Sequence, residues 1–429
     1  MDLSIGLYSC FVALGRYGKY RNLIRFVQYS KEPWCLLRRK KVMNLKTQRA
    51  TASLRSLFVG DALSMPVHWF YRTSDILRYF PPHGVVKMEA APADHPSSIM
   101  SLHSTDAGGR RSARRSNAPH VRQGLNDQLD LQGEVVGDII LKGKRELWGG
   151  TRTHYHHGLQ AGENTLNAHC ARLMLRHLVE NGGYDKTRWL EAYIAFMTAD
   201  PAQHPDTYAE SYHRGFFANL KSGKAADKCG AVTHDTPSMG ALVTVAPLAF
   251  ALLKNHTLER TQSICCDHVQ LTHPDTDLMR VVCTYVELLE SLLNAEEDPQ
   301  ALDSNSASAT PAVVDKFIKA ARVIPGTKLN ELLEQNRGDS AVVGKLYSTA
   351  CYITDSWPAV CYLGAKYFTS PAKAMLINTN LGGENAHRGS VLGTLVGLAS
   401  NHCDESLFEQ LSNRASVDTE VQEFVDTFC

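Results

Sequence analysis

The sequence predicts an all-α fold, one compact domain of many helices running from about residue 48 to the C-terminus. Three observations carry that prediction. Apolar residues recur at three-to-four spacing in segment after segment. Short β-branched runs bounded by turns are nearly absent. The stretch "GGENAHRGSVLGTLVGLA" (382–399) sets glycines 389, 393 and 397 four apart, on one stripe of a helix. Each such glycine costs about 1 kcal/mol relative to alanine, so the stripe implies a second backbone packed close and a central place for this helix.

Taken in order, the elements begin after an N-terminal extension, 1–47. Its "GRYGKYRNLIRFVQYSKEPWCLLRRKK" is basic, aromatic and nearly free of acids. It reads either as a transit segment or as an upstream extension with Met43 as the start. From Gln48 a helical pattern carries Leu54, Leu57, Phe58 and Leu63 up to Pro66, which ends it. Residues 83–150 lack regular pattern and include "STDAGGRRSARRSNAPHVRQG", whose five arginines suit a solvated loop or a flap over an anionic ligand. Next, "ENTLNAHCARLMLRHLVENGG" buries Leu166, Cys170, Leu173, Met174 and Leu178 and stops at Asn181-Gly182-Gly183. Helices follow in "KTRWLEAYIAFMT", "TYAESYHRGFFANLKSG", "PSMGALVTVAPLAFALLKN" and "LMRVVCTYVELLESLLN". After the linker "EEDPQALDSNSASATPA" come "AVVDKFIKAARVI", "AVVGKLYSTACYI", "SWPAVCYLGAKYF" and the glycine-striped helix.

The bulk numbers exclude some classes. A formal charge of +1 over 429 residues argues against a nucleic-acid partner. No apolar run approaches the roughly 20 residues that span a bilayer. The eleven cysteines are scattered without a CxxC pair, which suits free thiols in a reducing compartment. The expected location is cytoplasmic, or mitochondrial if residues 1–42 are a transit segment.

The candidate chemistry sits at two helix starts. The triplet Gly-Glu-Asn recurs at 162–164 and 383–385. An acid there is expected on stability grounds alone, because the helix dipole places positive potential at its N-terminus. The repetition favours a shared ligand cleft instead. Glu163 and Asn167 are four apart, Glu384 and His387 three apart, so each pair lies on one helix face. Oxygen donors from two facing helix starts suit a hard cation such as Mg²⁺, a polyhydroxylated substrate, or a carboxylate acting as general acid or base. "HPDTYAESYHRGFF" adds His204, Asp206, Glu210 and His213, either as support for that cleft or as a plain polar helix face. The three histidines of "THYHHG" (153–158) read as a loop over the site or a bland loop.

Over residues 48–402 these motifs, in this order, resemble the ADP-ribosylglycohydrolase family. "GDALSMPVHW" (60–69) is similar to its opening motif, "PSMGALVTVAPLAF" to its Met-rich helix and "LTHPDTDLMR" to its Thr-His segment. "AGENTLNAHCARL" and "GGENAHRGSVLGTLVGLA" stand where the family carries aspartate-rich metal motifs. The resemblance implies an all-α globule with a central cleft and usually two Mg²⁺ ions. Here the first motif falls on Gly162, Glu163, Asn164 and Thr165, the last on Glu384, Asn385, Ala386 and His387, and His68 replaces an expected glutamate. With most of the formal charge lost, one Mg²⁺ or none is expected, held by Glu163, Asn164, Glu384 and Asn385. Glu163 and Glu384 are the expected catalytic groups. Asn164, Asn167, Asn385, His387, Asp61 and His213 are the expected substrate contacts. The implied activity is hydrolysis of an ADP-ribose-type glycosidic bond in a small molecule or an ADP-ribosylated protein. The alternative is a degenerate member that binds nucleotide sugars or serves a structural role.

Overall fold

The computed structural model describes residues 44–98, 100, 135–149, 152–233, 236–295 and 311–429. The N-terminal extension up to residue 43, the arginine-rich run and nearly all of the linker at 296–312 lie outside them. The described residues form one compact all-helical domain. Helix α1 (Leu45–Ser64) starts three residues before the expected Gln48, because the Asn44 side chain caps it by accepting from Thr47 N at 2.8 Å. There follow α2 (Thr73–Tyr79), α3 (Leu166–Asn181), α4 (Lys186–Thr198), α5 (Ser211–Lys221), α6 (Val245–Leu252), α7 (Leu258–Gln270) and α8 (Thr276–Leu293). The second half holds α9 (Ala312–Ala321), α10 (Leu329–Glu334), α11 (Asp339–Val342), α12 (Ile353–Tyr367), α13 (Pro371–Leu381) and α14 (Asn385–Ser400). It closes with α15 (Glu405–Phe408) and α16 (Arg414–Phe428). No described helix is long and apolar enough to cross a membrane.

The centre is the pair α1 and α14. Every residue of α14 is buried. A Cβ on Gly393 would stand 2.2 Å from Ser56 O, and one on Gly397 would stand 2.6 Å from Ala52 O. Gly60 and Gly389 clash reciprocally, at 2.1 and 2.4 Å from each other's carbonyl oxygen. The glycine stripe therefore meets the stripe Ala52, Ser56, Gly60, and the numbers run in opposite directions, so the helices are antiparallel. Arg49 Nη1 donates to Leu398 O at 2.9 Å and Ser53 Oγ to Thr394 O at 2.9 Å, which ties polar groups across the same seam. The antiparallel pairing has a functional consequence. It brings the end of α1, and the turn Met65–Val67 after it, to the mouth of α14.

An expected helix breaks early, and an unexpected one appears. "AVVGKLYSTACYI" is not a helix beyond Val342: Gly344 takes φ +123°, and Val343 bridges Tyr347 in a tight turn. Helix α16 had no counterpart among the expected elements, although Val417, Val421, Phe424, Val425 and Phe428 form its buried face at helical spacing.

Candidate functional site

At the mouth of α14 the chain makes a turn that only glycine tolerates. Gly382 and Gly383 both take φ +67°, and a Cβ on either would fall 2.1–2.2 Å from the Phe70 or Thr349 carbonyl oxygen. That closeness allows a backbone clasp. Trp69 N donates to Gly383 O (2.6 Å), Gly383 N to Phe70 O (2.8 Å) and Glu384 N to Thr349 O (2.7 Å). Glu384 occupies the N-cap position of α14, yet its side chain caps nothing there. Instead its fully buried carboxylate pairs with His387 Nδ1 and lies 3.5 Å from His68 Nε2. Its Oε2 has no hydrogen-bond partner, and neither has His68 Nε2.

His387 is clasped from its other side by Glu210, whose Oε1 is 3.1 Å from Nε2. Burial works against a charge on this imidazole, but Glu384 and Glu210 outweigh it and hold its pKa well above 6.5. His68 goes the other way: burial, reinforced by the neighbouring histidines, holds it well below 6.5 and neutral. Behind His68 the network continues. His68 Nδ1 meets His156 Nε2 at 2.7 Å, and His156 Nδ1 meets Asp206 Oδ1 at 2.8 Å. Burial raises the Asp206 pKa, but His156, His204 and the Leu166 N–H outweigh it and keep the carboxyl below its ordinary value. Carboxylate and imidazole groups thus form one buried chain: Asp206, His156, His68, Glu384, His387, Glu210.

The second helix mouth is built differently from the first. The start of α3 lies at Leu166, so Glu163 and Asn164 belong to the loop before it and do not form its first turn. Its free N–H groups are satisfied from elsewhere in the chain. Asp61 Oδ1 accepts from Thr165 N (2.7 Å) and Asn164 Nδ2 (2.9 Å), and its Oδ2 accepts from Thr165 Oγ1 (2.6 Å). Asp206 Oδ2 accepts from Leu166 N at 2.7 Å. Burial raises the Asp61 pKa against these hydrogen bonds.

The expected site residues therefore separate. Glu384, His387, Asn167 and His213 come together: Asn167 Nδ2 lies 2.7 Å from His387 Nε2, and His213 Nε2 lies 3.0 Å from Asn167 Oδ1. Asp61 and Asn164 pair with each other at the end of α1, with Asn164 Nδ2 also donating to Phe58 O at 2.9 Å. Asn385 Nδ2 donates to Thr379 O (2.9 Å), while its buried Oδ1 has no partner. Glu163 is half-buried and turned onto its own loop, accepting from Gln160 N at 2.8 Å. Sequence reasoning did not place His68 among the site residues, offered His156 only within a histidine loop over the site or a bland loop, and gave Asp206 and Glu210 a supporting role. The signal for His68 was its position where the motif resemblance expects a glutamate.

His68, Glu384 and His387 can hold a divalent ion, since their candidate ligand atoms all lie within 4.8 Å of one another and all three are buried. The donor set is two imidazoles and one carboxylate. It is not the set of oxygens that Mg²⁺ demands, and Glu163 and Asn164 contribute nothing to it. The surroundings are close-fitting. The Trp69 indole, with φ +61°, stacks on His68 at 3.8 Å between centroids, and Tyr155 and Tyr208 pack edge-on against that indole. Beside Asn167 and His213 lies a cavity of about 40 Å³, also bordered by Tyr193, Tyr212 and His273. At 10–15 Å³ each it has room for roughly three waters.

No curated protein matches the chain in sequence. A solved structure described as an "ADP-ribosylglycohydrolase-related protein complex" shares its fold, with a TM-score of 0.54 and 15% identity over 90% of this chain and 100% of that one. Residues 43–427, most of the chain, match the ADP-ribosylglycohydrolase family description. With that match added to the all-helical architecture and the two helix-mouth motifs, the chain belongs to the ADP-ribosylglycohydrolase family.

Proposed function

We propose that this protein hydrolyses an ADP-ribose-type glycosidic bond, with Glu384 as the carboxylate that activates water and steadies the oxocarbenium-like transition state. One observation carries the reading: the buried Glu384 carboxylate is not spent on capping its helix, and its Oε2 has no hydrogen-bond partner. Buried polar atoms are nearly always satisfied, so such an oxygen calls for a water or a ligand. His387, held as the imidazolium, pairs with Glu384 Oε1 and leaves Oε2 to accept from an attacking water. Asn385 Oδ1, also partnerless, is an acceptor for a ribose hydroxyl. The proposal retains Glu384 of the two expected catalytic glutamates and gives Glu163 no role. It routes no step through Mg²⁺, because the His68, Glu384 and His387 cluster offers two imidazoles to one carboxylate. The substrate class comes from family membership, as an ADP-ribosylated protein or small molecule.

The enclosure favours a second reading. His68, Glu384, Asn385 and His387 are 0–2% exposed, so a nucleotide sugar does not reach them in this arrangement of the chain. A degenerate, binding or structural member would keep such a site shut. Incubating the protein with N- and O-linked ADP-ribosyl conjugates and measuring released ADP-ribose separates the two. Release that is abolished in Glu384→Gln supports hydrolysis. Absence of release from every linkage, with or without ADP-ribose binding by calorimetry, supports the degenerate reading.

A further inference from the structure

We infer that His68, Glu384 and His387 form a site for a borderline transition-metal dication of the Zn²⁺ class, in place of an oxygen-ligated Mg²⁺ centre. The inference stands apart from the hydrolase reading, because it concerns what the three side chains bind and not what reaction follows.

The donor atoms argue for it first. Zn²⁺ bonds of about 2.0–2.1 Å at tetrahedral angles set neighbouring donors roughly 3.3–3.4 Å apart. His68 Nε2 and Glu384 Oε1 are 3.5 Å apart, close to that spacing and with no hydrogen bond between them, while His387 Nδ1 touches the same oxygen and must draw back as an ion enters. Two imidazoles and a carboxylate from three separate side chains leave a fourth position open, as catalytic zinc sites do. Mg²⁺ prefers six oxygens and dehydrates reluctantly, and this set offers one carboxylate in a buried space.

The groups behind each ligand argue for it independently. A metal-bound histidine almost always donates its far N–H to a carboxylate or another fixed acceptor, which sets the tautomer and orients the ring. Both histidines here have that partner. For His387 ligating through Nδ1, the far nitrogen faces Glu210 Oε1 at 3.1 Å. For His68 ligating through Nε2, the far nitrogen faces His156 Nε2 at 2.7 Å, and His156 in turn faces Asp206 at 2.8 Å. His68 Nε2 thus faces the Glu384 carboxylate across 3.5 Å with no hydrogen-bond partner of its own. Ion binding takes the place of the proton between Glu384 and His387, because a ligating imidazole must be neutral on its bonding nitrogen.

The test uses the whole chain, stripped with a chelator and titrated with Co²⁺, whose visible absorption reports an imidazole-containing site. The expected result is one Co²⁺ per chain, displaced by Zn²⁺ and untouched by a large excess of Mg²⁺. Glu384→Gln and His68→Gln should abolish the absorption while circular dichroism stays native. Glu210→Gln should keep it but weaken Co²⁺ affinity about 10–100-fold, a loss that a merely structural Glu210 would not cause. His402→Ala, at an exposed position, is the control and should bind as wild type. The site is refuted by absence of stoichiometric Co²⁺ binding, by displacement with Mg²⁺, or by full binding in folded His68→Gln. If the His68 variant does not fold, unchanged affinity in Glu210→Gln refutes it equally. Hydrolysis is not the readout, so a protein that binds Co²⁺ at these residues but releases no ADP-ribose would sink the activity proposal and leave this one standing.

Discussion

The imidazoles of His68 and His156 meet nitrogen to nitrogen at 2.7 Å, which ties the end of α1 to the loop 153–158 and, through Asp206, to the first N–H of α3. Three segments distant in sequence thus share one buried polar line. Asp206 anchors that line, accepting from the Leu166 and Thr207 N–H groups and pairing with His156.

Asp206→Ala leaves those donors and a buried imidazole without their acceptor. Removing one partner of such a buried pair costs about 3–5 kcal/mol. Urea denaturation should show a loss of that size, and Asp206→Asn a smaller one, since its carbonyl oxygen still accepts. Near-wild-type stability of the alanine variant would mean that the Asp206 carboxylate does not hold α3 in place.

Acid should unfold this protein early. Burial pushes both His169 and His268 down to about 3, against an ordinary value of 6.5. Between those values the unfolded chain binds protons that the native chain refuses, so stability falls as pH is lowered from 6.5 toward 3. Each such histidine contributes up to about 1.4 kcal/mol per pH unit within that window. His387 acts in the opposite sense: its pKa is raised, so the stability it adds is full below 6.5 and fades as pH climbs through its native value. Urea midpoints of the double variant His169→Gln/His268→Gln should depend on pH less steeply between 6 and about 4. An unchanged slope would show that these two rings take up protons in the native state.

Gly393→Leu tests the central seam. The new side chain would begin 2.2 Å from Ser56 O, a main-chain atom that cannot move without shifting α1. Overpacking costs about 1–3 kcal/mol at ordinary sites, and at least that is expected from the melting curve. Helix propensity alone predicts the reverse, since leucine is the better helix former.

The glycine stripe was legible because its meaning is one-dimensional: spacing four, on one face, next to another backbone. The same was true of the stop at Gly182, which takes φ +64° after α3. The chain from Asp206 to Glu210 was not legible. It joins residues 68, 156, 206 and 384, brought together by the antiparallel packing of α1 on α14 and by loops of no regular period. Glu163 shows the converse difficulty. Gly-Glu-Asn stands at the entry to both helices, but α3 starts two residues later in its motif than α14 does, at Leu166, where Asp61 and Asp206 take the N–H groups of Thr165 and Leu166. One repeated triplet therefore has two different backbones. Periodicity cannot report which carboxylate arrives from across the domain.

That contrast yields the sharpest prediction. Glu163 accepts one hydrogen bond, from Gln160 N, and glutamine can accept it equally well. Glu163→Gln should therefore change stability by less than about 0.5 kcal/mol and leave ADP-ribose binding and release as they were. Glu384→Gln removes the charge that faces His387 and lies beside His68. Loss of a general base typically costs about 10²–10⁴-fold in rate, so turnover should fall by that much while circular dichroism stays native. The His387 ring should also titrate at lower pH by NMR, because Glu384, the carboxylate that raises its pKa most, is gone while Glu210 remains. A capping role for Glu384 predicts a modest stability loss with the ring's titration unmoved. Equal effects of the two substitutions on ADP-ribose release would restore Glu163 to the site and require its loop to open.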